Sequence, residues 1–292
     1  MLFRSRRKGD AAPGVDLKAV VEPIDVNDAI ERGALAAWYR PRVDLHTGEI
    51  VGCEAVPRVP HPRLGFIDPR SFVKGDEGLG VRLSAAMLMT AAREMSVIVS
   101  DRPGFKVALD ASALLLDAHP LDARIDDVLS KTGLRAGALT LDVTESATLA
   151  DVTRSIEALV ALRVKGLSVG VAEFGRGQSS LTALAKMPFS EMQISNVFVQ
   201  NCEYDVDLAR VVKACASLGR QMSMTVVADG VDTDAQATLM REFGCDIAQG
   251  EFVAPPMDAR SFSAWVEMGS GPRESTTLNS YLRSPRNRRR IA

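Results

Sequence analysis

The sequence predicts an α/β chain folded as a TIM-like (β/α)8 barrel that contains one antiparallel strand. Short apolar, strand-like runs alternate with segments whose apolar residues recur at helical spacing, which is the pattern of repeated βα units. Seven positions place a carboxylate, or the residue standing where one is expected, just past such a run: Glu54, Asp110, Asp142, Glu173, Ser195, Asp229 and Gln249. In a barrel of parallel strands the C-terminal strand ends converge on one mouth, so these side chains are expected to share one site. The chain has 292 residues, 46% of them hydrophobic, enough for a single core of barrel size.

The elements follow in order. Ala34 to Leu45, a Thr47-Gly48 turn and Ile50 to Val59 read as a hairpin that opens the sheet and supplies the antiparallel strand. From Arg82 to Ser100 the residues Leu83, Met87, Ala91, Met95 and Ile98 form one helical stripe, and the strand Phe105 to Leu109 follows. The cycle continues through strands at Ala138 to Val143, Leu167 to Val171, Met192 to Ile194, Met222 to Ala228 and Asp246 to Ala248. Between them lie helices striped by Val152, Ile156, Leu159 and Val160, and by Leu208, Val211, Val212, Cys215 and Leu218. The second of these is expected to close with Gly219 just past its end.

Composition narrows the setting. No run of about 18 uninterrupted apolar residues occurs, so no membrane span is expected. Met1 to Asp10 is basic without the apolar run of a secretory signal, so the cytoplasm is the expected location. Cys53, Cys202, Cys215 and Cys245 sit in apolar segments without a close CxxC pair, which suits reduced core thiols rather than disulfides or zinc. Both ends are basic and the body between them is acidic, by about ten charges. Residues 1–21 read as a basic flexible tail, 22–268 as the barrel domain and 269–292 as a basic disordered tail. The run Arg283 to Arg290 offers a counterion-release surface to nucleic acid or acidic lipid, but only Tyr281 interleaves an aromatic ring, so a solvated tail is the expected state. His46, His61 and His119 are scattered and adjoin no triad arrangement, and Phe174-Gly175-Arg176-Gly177 lacks the GxGxxG spacing of a dinucleotide fingerprint.

Several motifs carry a family resemblance. Glu54-Ala55-Val56 within Gly52 to Arg58, followed by His61-Pro62 and Leu64-Gly65, resembles the signature of EAL domains, the bacterial cyclic di-GMP phosphodiesterases. The likeness continues through Leu141 to Glu145, Phe174 to Leu181, Val226 to Asp232 and Gly244 to Gly250, covering roughly residues 22 to 268 in register. The resemblance implies hydrolysis of a phosphodiester in a cyclic dinucleotide by two divalent ions held by mouth carboxylates, with a lysine assisting proton transfer. By the same resemblance Glu54 corresponds to the first metal ligand, Glu145 to a loop-ordering glutamate, Gln249 to a strand-end glutamine and Arg58 to a substrate-phosphate arginine. Pairing into a homodimer through surfaces near the lid loops is implied as well.

The departures from that pattern decide the expected function. Asp110, Asp142 and Asp229 stand where the family has an asparagine and two glutamates, which keeps an oxygen at each place but moves it. The paired aspartates that hold both ions are Ala172-Glu173 here, the catalytic lysine is Gln193, and the aspartate after it is Ser195. Loss of a general base alone costs on the order of 10² to 10⁴ in rate. The expectation is therefore a degenerate member, not an enzyme, with Glu54, Ala172, Glu173 and Gln193 as vestigial catalytic positions. It is expected to act as a receptor of cyclic di-GMP, bound through Arg40, Arg58, Gln249 and Phe252. Two other readings stand beside it: a regulator that binds a protein partner but no dinucleotide, and a weak metal-dependent phosphodiesterase. No cofactor is required on the first reading. Glu54, Asp110, Asp142, Glu173 and Asp229 either hold one Mg²⁺ or Ca²⁺ or remain as solvated or proton-sharing acids. Input is expected from a ligand, a partner or expression level, since the chain leaves no room for a further sensory or cyclase domain.

Overall fold

The alternation of strands and helices closes into a ring. The computed structural model describes residues 25–73, 76–116, 120–176 and 181–268. The tails expected at 1–21 and 269–292, and His119, lie outside the described residues, and so does the side chain of Glu145.

Strand β1 (Ala36–Asp44) turns back into β2 (Ile50–His61) across a tight corner in which Asp44 Oδ1 accepts from the amides of His46 and Thr47, at 2.7 Å each. A short β3 (Gly65–Ile67) flanks β2. Beyond it come β4 (Lys106–Asp110), β5 (Leu139–Thr144), β6 (Ser168–Phe174), β7 (Glu191–Ile194), β8 (Thr225–Asp229) and β9 (Ile247–Gln249). Each is parallel to its neighbour from β2 round to β9. β1 closes the ring by pairing antiparallel with both β2 and β9, and β10 (Met257–Asp258) adds two residues beside it. The result is the expected eight-stranded barrel with one reversed strand.

Helices cover the outside. The helix Glu77–Asp101 starts five residues before the expected Arg82, because Asp76 caps it through the Leu79 amide. It is the one described helix long and apolar enough, by length and composition, to cross a membrane. Its apolar stripe of Leu83, Met87, Leu88, Ala91, Ala92, Met95 and Val99 is buried in the core cluster that includes the β4 residues Val107 and Leu109.

Gly219 corrects the expected end of another helix. It does not stop the helix but lies within Val206–Gln221, and the turn that follows puts Ser223 at φ 59°. A Cβ on Gly219 would fall 2.7 Å from Val226 Cγ2 and 3.3 Å from Met192 Sδ, so the glycine is there to let the helix lie close on β7 and β8. The extra turn of chain delays β8 to Thr225 rather than Met222.

Alternation along β1 sends Tyr39 outward to the helices and Arg40 and Arg42 into the barrel. Tyr39 is fully buried, and its hydroxyl donates to Glu94 Oε2 at 2.7 Å while its ring lies 5.5 Å from that of Phe262. The barrel interior, by contrast, is polar.

Candidate functional site at the barrel mouth

Two arginines on one strand organise the interior. Arg42, 2% exposed, donates from Nε to Gln249 Oε1 at 2.7 Å, from Nη1 to Glu191 Oε1 at 2.7 Å and from Nη2 to Asp142 Oδ2 at 3.1 Å. Gln249, fully buried, spends its amide on Glu54 Oε2 at 2.6 Å and Asp229 Oδ1 at 2.9 Å. Arg40 completes the ring from above: it faces Glu54 across the β1–β2 ladder, lies 3.6 Å from Glu54 Oε2 and hydrogen-bonds Asp229 Oδ1.

The electrostatics follow from that wiring. Burial pushes the Glu54 carboxyl up, but Arg40 and Arg42 outweigh burial and hold it below its ordinary value. For Asp142 burial wins: Arg42 opposes it, Glu191 and Glu54 reinforce it, and the group is raised well above a normal carboxylate. Its Oδ1 is buried and makes no hydrogen bond within the protein. Desolvation lowers Arg40 and Arg42, yet their carboxylate partners prevail and raise both.

The rim carries two more guanidinium groups. Arg58 Nη1 donates to Pro57 O at 2.9 Å and lies 3.5 Å from Asp68, and the group sits 5.6 Å over the Trp38 ring. Burial lowers its pKa, and Arg70 and Arg40 push the same way, so of the four arginines it is the least compensated. Arg70, which sequence reasoning passed over, grips Asp68 through Nε at 3.0 Å and Nη2 at 2.5 Å. It separates two depressions: one of about 230 Å³ lined by Arg40, Arg58, Asn196, Asp229 and Asp232, and one of about 200 Å³ lined by Asp110, Ser84 and Met87.

The remaining expected residues are spread out. Asp110 ends β4, exposed, and its Oδ1 accepts from the Ser112 amide at 2.8 Å. β6 loses its regular register between Val171 and Phe174; Ala172 is buried on the interior side it shares with Gly170, and Glu173 faces outward. Glu173 has φ 52°, an unusual backbone for a non-glycine residue, and pairs with Arg176 at 3.1 Å. Gln193 and Ser195 are buried at the end of β7, the Ser195 hydroxyl without a hydrogen bond in the protein. Phe252 belongs to the core cluster with Val231, Met240 and Cys245, not to the lining of either depression.

The residues present do not fit a divalent cation in this arrangement. Among the described residues no group of three or more His, Cys, Asp or Glu side chains is placed to hold one. Glu54 Oε2 and Asp229 Oδ1 are engaged by Arg40 and Gln249 instead.

Comparison with known proteins places this geometry. The family model described as EAL domain matches residues 25–256. The bifunctional diguanylate cyclase/cyclic di-GMP phosphodiesterase MucR of Pseudomonas aeruginosa is 33% identical over 245 residues, 83% of this chain and 36% of that protein. The cyclic di-GMP phosphodiesterase RocR of the same organism is 26% identical over 258 residues, 88% of this chain and 66% of that protein. The PaMucR phosphodiesterase solved in its c-di-GMP complex superposes with a TM-score of 0.77 at 33% identity, covering 82% of this chain and 98% of that one. The chain thus spans about a third of the length of MucR. The expectation of a barrel that is not an enzyme is overturned here: relatives this similar are phosphodiesterases, and the likeness points to enzyme activity despite Gln193, Ala172 and Glu173.

Proposed function

This chain belongs to the EAL domain family, and from that premise we propose that it takes cyclic di-GMP at the C-terminal mouth of the barrel and opens one of its phosphodiester bonds slowly. The observation that carries the reading is the rim itself. Arg40, Arg58 and Arg70 line one depression, and Arg70 also borders the second, which suits a ligand with two phosphates and two bases.

The chain's own residues bind and orient. Arg58 has no full carboxylate partner, so its planar fork is the donor most available to a phosphate oxygen. Arg40 and Arg70 add field, but each first has to loosen its hold on Asp229 or Asp68. The slowness has a residue-level cause. Gln193 has no titratable group with which to exchange a proton, and a missing acid–base partner costs on the order of 10² to 10⁴ in rate.

Calorimetry with cyclic di-GMP on the wild type and on Arg58→Ala, with chromatography of the same mixtures for the linear dinucleotide, tests both halves. Binding that weakens at least tenfold in Arg58→Ala, with linear product accumulating over many turnovers in the wild type, is the expected result. A wild type that neither binds nor cuts refutes the proposal, and binding with no product refutes its second half.

A further inference from the structure

We infer that the Arg40 guanidinium is a built-in cation, seated where Glu54 and Asp229 converge and competing with any divalent metal ion for that place. The inference concerns the ions of the mouth and stands whether or not a dinucleotide binds there.

The geometry is compact. Glu54 Oε2 and Asp229 Oδ1 both accept from the single Gln249 amide nitrogen, at 2.6 and 2.9 Å, so the two anionic oxygens are brought against each other by one donor. Two carboxylates so close need a proton or a cation between them. Arg40 is the nearest cation: it bonds Asp229 and faces Glu54 at 3.6 Å. The second arginine cannot take over. Arg42 has Nε, Nη1 and Nη2 committed to Gln249, Glu191 and Asp142 deeper in the barrel.

Position 40 is built to deliver this charge. It is opposite Glu54 in the β1–β2 ladder, and the interior side of β1 recurs every second residue, so Arg40 and Arg42 stack one above the other along the barrel axis. Replacing Arg40 by the shorter, neutral Gln leaves two carboxylate oxygens without the cation that bridges them. A hard divalent ion is the natural replacement, because it takes oxygen ligands and completes its shell with water.

The test uses Mn²⁺ alone, followed by electron paramagnetic resonance and calorimetry, on the full chain without nucleotide. The wild type and Arg40→Lys are expected to bind Mn²⁺ weakly, Arg40→Gln at least tenfold more tightly and with one ion per chain, and Arg40→Gln/Glu54→Gln weakly again. Equal Mn²⁺ affinity in wild type and Arg40→Gln overturns the inference, as does tight binding that survives Glu54→Gln. Should Arg40→Gln fail to fold, the wild type still decides: a stoichiometric Mn²⁺ site that raises its melting temperature, and that Glu54→Gln abolishes, refutes a mouth already filled by Arg40.

Discussion

Arg42→Leu tests how the barrel interior is held. The guanidinium, 2% exposed, answers Glu191 at 2.7 Å, Asp142 at 3.1 Å and Gln249 at 2.7 Å. Removing one partner of a buried ion pair costs about 3–5 kcal/mol, chiefly because the other charge stays buried without compensation. Asp142 escapes most of that cost, since its raised pKa already favours the neutral form. Glu191, 5% exposed, loses its 2.7 Å partner and carries the penalty. For a domain of this size the loss corresponds to roughly 6–20 °C in melting temperature. The assay is urea unfolding of the wild type, Arg42→Leu, Glu191→Leu and the double variant. The double variant should be more stable than the sum of the single losses predicts by at least about 1 kcal/mol, because it removes the pair together. A single Arg42→Leu loss under about 1 kcal/mol, or strict additivity, would show that these contacts do not hold the interior.

Three further outcomes are expected. Asp142 is raised in the folded state, so above the ordinary carboxylate pKa of about 3.9 the folded protein keeps a proton that the unfolded chain releases, and stability falls as pH rises through that window. Asp142→Asn removes this slope, so its stability relative to wild type should climb from acid to neutral pH, and parallel profiles would sink the idea. Gly250→Ala should lose at least about 2 kcal/mol in denaturant unfolding, since φ is 152° and a Cβ there would meet Val231 O at 2.2 Å; an unchanged midpoint would contradict the close approach. Burial pushes the Cys245 thiol up to about 12 and Cys53 higher still, so neither should react with iodoacetamide at neutral pH until the protein is unfolded, as mass spectrometry would show.

What the sequence revealed depended on whether a signal was local. Strand ends, the hairpin and the one reversed strand are written in short apolar runs and a Thr47-Gly48 turn, and all appear in the structure. Arg42 was legible in principle, because it lies two residues from Arg40 and so on the same strand face. Its partner Glu191 was not, since 149 residues separate the two and only ring closure brings them together. Lying just past an apolar run suggested Glu173 for the mouth, but alternation along β6 puts Gly170 and Ala172 on the interior side and sends Glu173 out to Arg176. Phe252 reads as a candidate stacking ring only until Val231 and Val253 are seen around it. Arg70 was missed because its neighbour Asp68 looks like a turn residue, which it also is: it caps the short 3-10 turn at Pro69–Ser71 while holding the guanidinium.

The charges of the mouth, taken together, explain why an arginine rim sits above so acidic an interior. Arg40 and Arg42 face four carboxylates, those of Glu54, Asp142, Glu191 and Asp229. The raised pKa of Asp142 reduces the negative charge it contributes, which narrows the interior's shortfall of positive charge. Arg70 supplies part of it from the rim, where its field is among those that hold Glu54 ionised. With the interior so nearly neutral, a phosphate at Arg58 meets little repulsion from below, whereas a divalent cation would overcharge the mouth unless Arg40 withdrew. Anion recognition at the rim and cation exclusion beneath it are therefore two consequences of one charge balance, and Arg40→Gln should move them in opposite directions: tighter Mn²⁺, weaker dinucleotide. A variant in which both affinities rise would show that the two are not linked through Arg40.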